Sequence, residues 1–228
     1  MMERVKNKKY SGSNSVCVLV SGGLDSCVLL CEMTDKFDDV YPVYVKGGLL
    51  WEKAEIYWLW KFISSIKNKS LKKLKIITSG VTDIYKNHWS ITGNNVPDHT
   101  TDDSAVYLPG RNIILLSKTA VFCSINNIRT ISIAPLKTNC FPDGTDKFFR
   151  LIQETLGEGL NFKFSIITPF SHLSKTDVIK LGAHLPLELT FSCIKPSGMH
   201  HCGVCAKCAE RKKAFQQLKI KDKTVYKS

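Results

Sequence analysis

Apolar positions along this 228-residue chain recur with two periods. Short apolar runs at 16–20, 40–45, 74–78, 130–134 and 165–167 are rich in β-branched residues and bounded by glycine, proline or polar clusters, which predicts five strands. The segments 27–33, 52–66, 113–125, 146–156 and 174–182 between or after them read as helices. In 52–66 the apolar stripe is Ile56, Leu59, Trp60, Ile63 and Ile66. Ser174 and Asp177 have capping-box spacing ahead of their helix, and a last helix is expected over 206–218. Pro42 predicts an early or bent position for its strand. Strands alternating with helices imply an α/β protein with a parallel, doubly wound five-stranded sheet, whose ligands bind beyond the carboxyl ends of the strands. Residues 82–110 carry no clean period, and the stretch is read as a loop that covers a substrate.

Composition narrows the class. A hydrophobic fraction of 43% supports a buried core, and no uninterrupted apolar run reaches the length of a membrane span. Residues 1–15 are polar and basic, which reads as a short leader without the apolar core of a signal peptide. The expected compartment is the cytoplasm. The net charge is +12, with its excess in three clusters at 4–9, 67–75 and 211–227. These lack the interleaved aromatics of a stacking platform, so nucleic acid is not an expected partner. A solvated lysine surface, with a positive field that favours an anionic nucleotide, accounts for them.

The chemistry begins at Ser21-Gly22-Gly23-Leu24-Asp25-Ser26, which follows the first strand and opens the first helix. Strand, glycine-rich turn and helix present backbone N–H groups and a positive helix end to an anion. The glycines admit the turn and a close phosphate, and Ser21 and Ser26 add hydroxyls. No lysine lies in the turn, so it is not the loop whose lysine reaches the terminal phosphates. An ordinary turn with Ser26 as helix cap is the bland reading. Arg111, near the start of one helix, and Lys175, in the first turn of another, both oppose the helix dipole, which suggests an anionic partner for each.

Nine cysteines in a chain expected in the cytoplasm point to metal or catalysis rather than disulfides. Cys17, Cys27, Cys31 and Cys123 lie in apolar segments as small core residues, and Cys140 lies in a loop. Cys193, Cys202, Cys205 and Cys208 have the spacing of a tetrahedral zinc site. Four sulfurs would close the shell, making one structural zinc per chain, with His200 and His201 available as substitutes. An iron–sulfur cluster is the rival at this point, and a redox pair a third reading. The expected organisation is therefore a leader over 1–15, an ATP-binding α/β domain over 16–185 and a helical zinc-binding appendage over 186–228.

The hexapeptide at 21–26 resembles the pyrophosphate loop of the PP-loop ATP pyrophosphatases, which cleave ATP between the α and β phosphates and adenylate a substrate oxygen. Further motifs occur in order: Thr101-Asp102-Asp103-Ser104, the run from Tyr107 to Asn112, Phe141-Pro142-Asp143, Ser174 to Asp177, and the four cysteines with Arg211. Together they resemble the 7-cyano-7-deazaguanine synthase family over about residues 16–215. That resemblance implies a zinc-containing homodimer. It implies ATP with Mg2+, 7-carboxy-7-deazaguanine and ammonia as reactants. The carboxylate would be adenylated, aminated to an amide, then activated by a second ATP and dehydrated to the nitrile. By the same resemblance Ser21, Gly22, Gly23, Leu24, Asp25 and Ser26 hold pyrophosphate and magnesium. Arg111 and Lys175 join Asp25 as catalytic residues in contact with phosphates. Tyr107, Arg111 and Asp143 surround the deazaguanine, where a carboxylate suits the N–H edge.

Three segments depart from the family pattern. Residues 45–52 replace an Asp-Tyr-Gly-Gln-type stretch, Gly144-Thr145 replaces Cys-Arg, and Phe191 replaces tryptophan. Loss of side-chain bulk at Gly47 and Gly48 would widen an entrance for another amine, such as a protein terminus. Two further classes stand beside this reading: a PP-loop tRNA-modifying enzyme with Cys140 as a reactive thiol, and a zinc-stabilised nucleic-acid-binding module without catalysis.

Overall fold

A computed structural model describes residues 14–227, so all but the end of the expected leader lies outside the described residues. In chain order the elements are β1 (Ser15–Leu19), α1 (Leu24–Thr34), β2 (Asp39–Lys46), α2 (Glu52–Ser65) and β3 (Lys75–Thr78). Two single-turn helices follow, α3 (Thr82–Tyr85) and α4 (Trp89–Thr92), then α5 (Arg111–Ile125), β4 (Thr130–Ser132) and α6 (Asp146–Gly159). The chain closes with β5 (Ser165–Ile167), α7 (Lys175–Leu181) and α8 (Ala206–Gln217).

All five strands run parallel in the order β3-β2-β1-β4-β5, the doubly wound sheet that the alternation predicts. From β1 the chain winds one way to β2 and β3, then crosses to the other side for β4 and β5. The order reverses at β1, so a crevice opens beyond the carboxyl ends of β1 and β4. The loops leaving those two strands carry the 21–26 motif and the 133–145 segment.

β1 is buried on both faces and divides its side chains by the period of two. Val16 and Val18 join the core formed by α1, Leu59 and Phe62 of α2, Val178 and Ile179 of α7, and Ala214 and Phe215 of α8. Cys17 and Leu19 join the opposite core with Leu116, Ala120 and Cys123 of α5 and Phe149 of α6. Cys27 is also a buried core residue and Cys31 is half-buried, while Cys140 is exposed.

Pro42 sits inside β2, opposite Val18, rather than at its start. Val40 donates its N–H to the Ser70 carbonyl on the β3 side. Two residues on, Pro42 faces the same side, where β3 has not yet begun; pairing resumes at Val43 with Lys75. The missing proline donor therefore costs no ladder bond. Of the predicted stripe of α2, Leu59 is in the core and Ile56, Ile63 and Ile66 pack against it, while Trp60 is 45% exposed; Glu52, Ala54, Glu55 and Phe62 are buried beside them. Residues 82–110 contain α3, α4 and a 3-10 turn at Asp103–Val106 rather than a bare loop. A third apolar cluster joins Trp51, Ala54 and Leu108 to Phe191 and the four spaced cysteines, and the Ala206 N–H donates to the Pro97 carbonyl at 3.0 Å.

Candidate active site

The turn after β1 is tied by its own serines. Ser21 N–H donates to Ser26 Oγ at 3.1 Å, the Ser26 hydroxyl donates to the Gly23 carbonyl at 3.1 Å, and Gly23 N–H donates to Ser21 Oγ at 3.2 Å. Ser26 thus lies within the first turn of α1 and bonds back to the loop; it is not the cap. Gly23 occupies the cap position without any side-chain bond, which leaves the first N–H groups of α1 uncapped by a side chain. Gly22 has φ +78°, and a Cβ there would lie 3.0 Å from the Glu55 carbonyl, so both conformation and space require glycine. Leu24 anchors the helix start in the core.

Asp25 and Lys175 meet across the mouth of this turn. Lys175 Nζ lies 2.6 Å from Asp25 Oδ2 and 3.4 Å from Glu210 Oε1, and Glu210 Oε2 takes Lys207 Nζ at 2.8 Å. The other Asp25 oxygen, Oδ1, is buried without a hydrogen-bond partner. Lys175 is the first residue of α7, fixed by the predicted capping box: Ser174 Oγ accepts from the Asp177 N–H and the Asp177 carboxylate from the Ser174 N–H. Burial disfavours the lysine charge, but the Asp25 and Glu210 carboxylates more than offset it and raise its pKa. Burial likewise works against ionised Glu210, yet Lys175 and Lys207 hold it down at about 2.

Arg111 is the first residue of α5, where Asp143 meets the helix end. Asp143 Oδ2 accepts from the Asn112 N–H at 3.0 Å, and Asn112 Nδ2 donates to the Asp143 carbonyl at 2.7 Å. A carboxylate at that position offsets the unfavourable arginine. Tyr107 stacks on Phe141 with centroids 5.2 Å apart.

These groups surround one cleft with two lobes. One, of about 320 Å³, is walled by Trp51, Glu55, Trp89, Phe191, Lys175 and Lys207. The other, of about 260 Å³, lies over the strand ends between Val20, Tyr44, Val45, Tyr107, Asn112 and Asp143. Ser21, Gly23, Asp25 and Arg111 face both. Glu55 is buried, and the Tyr44 hydroxyl donates to its Oε2 at 2.7 Å. Burial pushes the Glu55 carboxyl up to about 8, although Arg111 and the Tyr44 hydroxyl pull the other way.

The departing segment 45–52 is folded onto Glu52, whose two carboxylate oxygens accept from Gly47 N–H at 2.5 Å and Gly48 N–H at 2.8 Å. Gly48 has φ +92°, and a Cβ there would lie 2.7 Å from Thr82 Cγ2. These glycines pack closely: neither lines the two-lobed cleft, and Gly47 lines only a cavity of about 20 Å³ beside Val45, Arg111 and Leu115.

Cys193, Cys202, Cys205 and Cys208 are all buried, with their sulfurs within 4.8 Å of one another. The sulfurs of Cys193 and Cys202 accept backbone N–H groups from Lys195, Cys202, Val204 and Cys205 at 3.3–3.5 Å. Such a cluster could hold a metal ion. His201 is outside it: its Nε2 accepts from the Ser192 N–H at 3.1 Å, and burial, then Arg211, lower its pKa to about 3. Arg211, 2% exposed, donates to Thr190 Oγ1 and the Leu187 carbonyl and clamps the segment before Cys193 onto α8.

The fold thus brings together Ser21, Asp25, Tyr107, Arg111, Asp143 and Lys175, with the cysteine cluster beside them. Sequence reasoning missed Glu55, Lys207 and Glu210. Glu55 had a signal, a carboxylate four residues before Leu59 on a buried stripe; Lys207 and Glu210, amid a basic helix, had none.

Residues 15–219 match the family model described as queuosine biosynthesis protein QueC. A 7-cyano-7-deazaguanine synthase of Sulfurihydrogenibium sp. is 32% identical, over 89% of this chain and 95% of that protein. One from Methanococcus maripaludis is 30% identical over 93% and 98%. Among solved structures, the U34-tRNA thiolase NcsA of Methanococcus maripaludis, determined with its [4Fe-4S] cluster, is similar in fold at TM-score 0.51. It is 12% identical, and the match covers 91% of this chain and 66% of that one.

Proposed function

The chain belongs to the family of the queuosine biosynthesis protein QueC, and from that premise we propose that it adenylates 7-carboxy-7-deazaguanine with ATP and aminates it with ammonia toward 7-cyano-7-deazaguanine. The observation that carries this is the self-tied, lysine-free 21–26 turn at the sheet's switch point, with Asp25 and Lys175 paired at its mouth. The uncapped N–H groups of α1 and the Ser21 hydroxyl receive pyrophosphate, not a transferred γ-phosphate. Arg111 and Lys175 place positive charge where the pentavalent α-phosphorus gathers negative charge. Tyr107 and Phe141 wall the nucleotide side of the cleft. Asp143 holds Asn112 and so fixes Arg111 at the start of α5. The 82–110 segment, through Trp89 and Leu108, covers the reacting groups from water. The active form is a homodimer.

Two metal sites fit the residues present. Asp25 Oδ1, buried and unpartnered, suits a Mg2+ ion that would neutralise the polyphosphate. The four thiols suit zinc: a Zn–S bond of about 2.3 Å implies sulfurs roughly 3.8 Å apart, and the Cys193 and Cys205 sulfurs are 3.8 Å apart. An iron–sulfur cube places each thiolate on a different iron and spreads the sulfurs further. Four sulfur ligands leave no position for water, so this zinc is structural. Chromatography of the nucleotide products tests the reading: AMP forming only with the deazaguanine carboxylate present supports it, and ADP or acceptor-independent hydrolysis contradicts it.

A further inference from the structure

We propose that Glu55 recognises the acceptor base, accepting hydrogen bonds from the N–H edge of the deazaguanine in the lobe walled by Trp51, Trp89 and Phe191, while ATP takes the opposite lobe. The inference rests on the function proposed above and assigns the two lobes of its cleft.

The pyrophosphate turn stands at the junction, so a nucleotide bound there extends one way and an acceptor approaches from the other. The lobe over the strand ends, with Val20, Val45 and Tyr107, is the one the nucleoside can follow from the turn along the sheet. The other lobe suits a planar bicyclic base. Trp51 and Trp89 stack with centroids 5.7 Å apart and 24° between planes, giving it an aromatic wall. Glu55 enters this lobe from α2, its orientation set by the Tyr44 hydroxyl of β2.

Burial keeps this carboxyl protonated until donors reach it, so the two N–H groups of a bound base supply the hydrogen bonds that favour its ionised form. Glu52, three residues away on α2, is spent on Gly47 and Gly48, and Asp143 is spent on Asn112. Within the aromatic lobe Asp25 and Glu210 are paired with Lys175 and Lys207, which leaves Glu55, held by the single Tyr44 hydroxyl, as the carboxylate there without a cation and open to a ligand's N–H groups. A guanine-type edge presents a ring N–H beside an exocyclic amino group, two adjacent donors that match the two oxygens of a carboxylate. An adenine-type edge puts a ring acceptor in the same place, where a carboxylate repels it. A site that must hold two purine-like molecules at once gains from that distinction, since Glu55 would keep the base of ATP out of the acceptor lobe.

Calorimetric titration tests this with 7-carboxy-7-deazaguanine, with its adenine-type counterpart, and with a non-hydrolysable ATP analogue. Glu55→Gln should weaken the deazaguanine carboxylate by about tenfold or more and narrow the preference over the adenine-type compound, with the ATP analogue unchanged within about twofold. Trp89→Leu, on the aromatic wall, should likewise weaken the acceptor alone. Unchanged acceptor affinity in Glu55→Gln, or equal loss of both ligands, would overturn the assignment. A wild-type protein that binds the ATP analogue but no deazaguanine carboxylate would overturn the functional reading itself.

Discussion

Phe191 donates its backbone N–H to the Gly22 carbonyl at 2.7 Å, which joins the segment leading into Cys193 to the centre of the 21–26 turn. The cysteine cluster and the turn are therefore mechanically linked: the chain that carries one sulfur also braces the loop. Arg211 reinforces the link by holding Leu187 and Thr190 against α8, the helix that carries Cys208.

Loss of the metal should consequently be felt in the turn. Cys202→Ser is predicted to lower bound zinc from one per chain to near zero and to reduce the melting temperature by about 10 °C or more, because metal binding at such a site is folding energy. Elemental analysis with calorimetry checks it. Stable, fully active protein without metal would contradict it.

Asp25→Asn keeps an oxygen for Lys175 but removes the charge on which the proposed Mg2+ site relies. Turnover should fall by about 10²–10³-fold, while the melting temperature moves by only a few degrees. Raising Mg2+ should recover part of the rate in Asp25→Asn, and a rate insensitive to Mg2+ would place the aspartate's role elsewhere.

Lys175 has two carboxylate partners, so its position survives the loss of one. Lys175→Met is predicted to reduce kcat by about 10²-fold, and Glu210→Gln by about three- to tenfold with little change in KM for the acceptor. Steady-state kinetics on both variants would show the ordering. A Glu210→Gln defect equal to that of Lys175→Met would mean that Glu210 acts directly.

Glu55 also makes stability depend on pH. Its carboxyl titrates near 8 in the folded chain against 4.5 when free, so the folded state binds more protons between those values. Stability should fall as pH rises from about 4.5 to 8 and level off above. Tyr44 from β2, Glu52 from α2 and Arg111 from α5 face the group; the arginine charge and the Tyr44 hydroxyl oppose the trend, and Glu52 adds to it. Thermal melts should show a smaller decline in Glu55→Gln than in the wild type; identical slopes would contradict the assignment.

Much of this was legible from local pattern. The β-branched runs located the strands, the glycine–serine turn located the crevice, and the Ser174–Asp177 box marked the helix that presents Lys175. What escaped depended on partners distant in sequence. Pro42 looked disruptive until β3 was seen to begin only beyond it. On α2 the stripe holds except at Trp60, which looks like core and is exposed, and Glu55, which does not look like core, is buried because Tyr44 and the turn pack over it. Lys207 and Glu210 acquire meaning only when α8 folds across α7. Gly47 and Gly48 looked like missing bulk, but their backbone N–H groups are bound by Glu52.

The central claim is most directly tested by mass spectrometry after incubation with ATP, Mg2+, 7-carboxy-7-deazaguanine and 15N-labelled ammonium. The account predicts AMP together with 7-cyano-7-deazaguanine that carries the label in its nitrile. Unconsumed carboxylate, or ATP turned over to ADP without a labelled deazaguanine product, would contradict it.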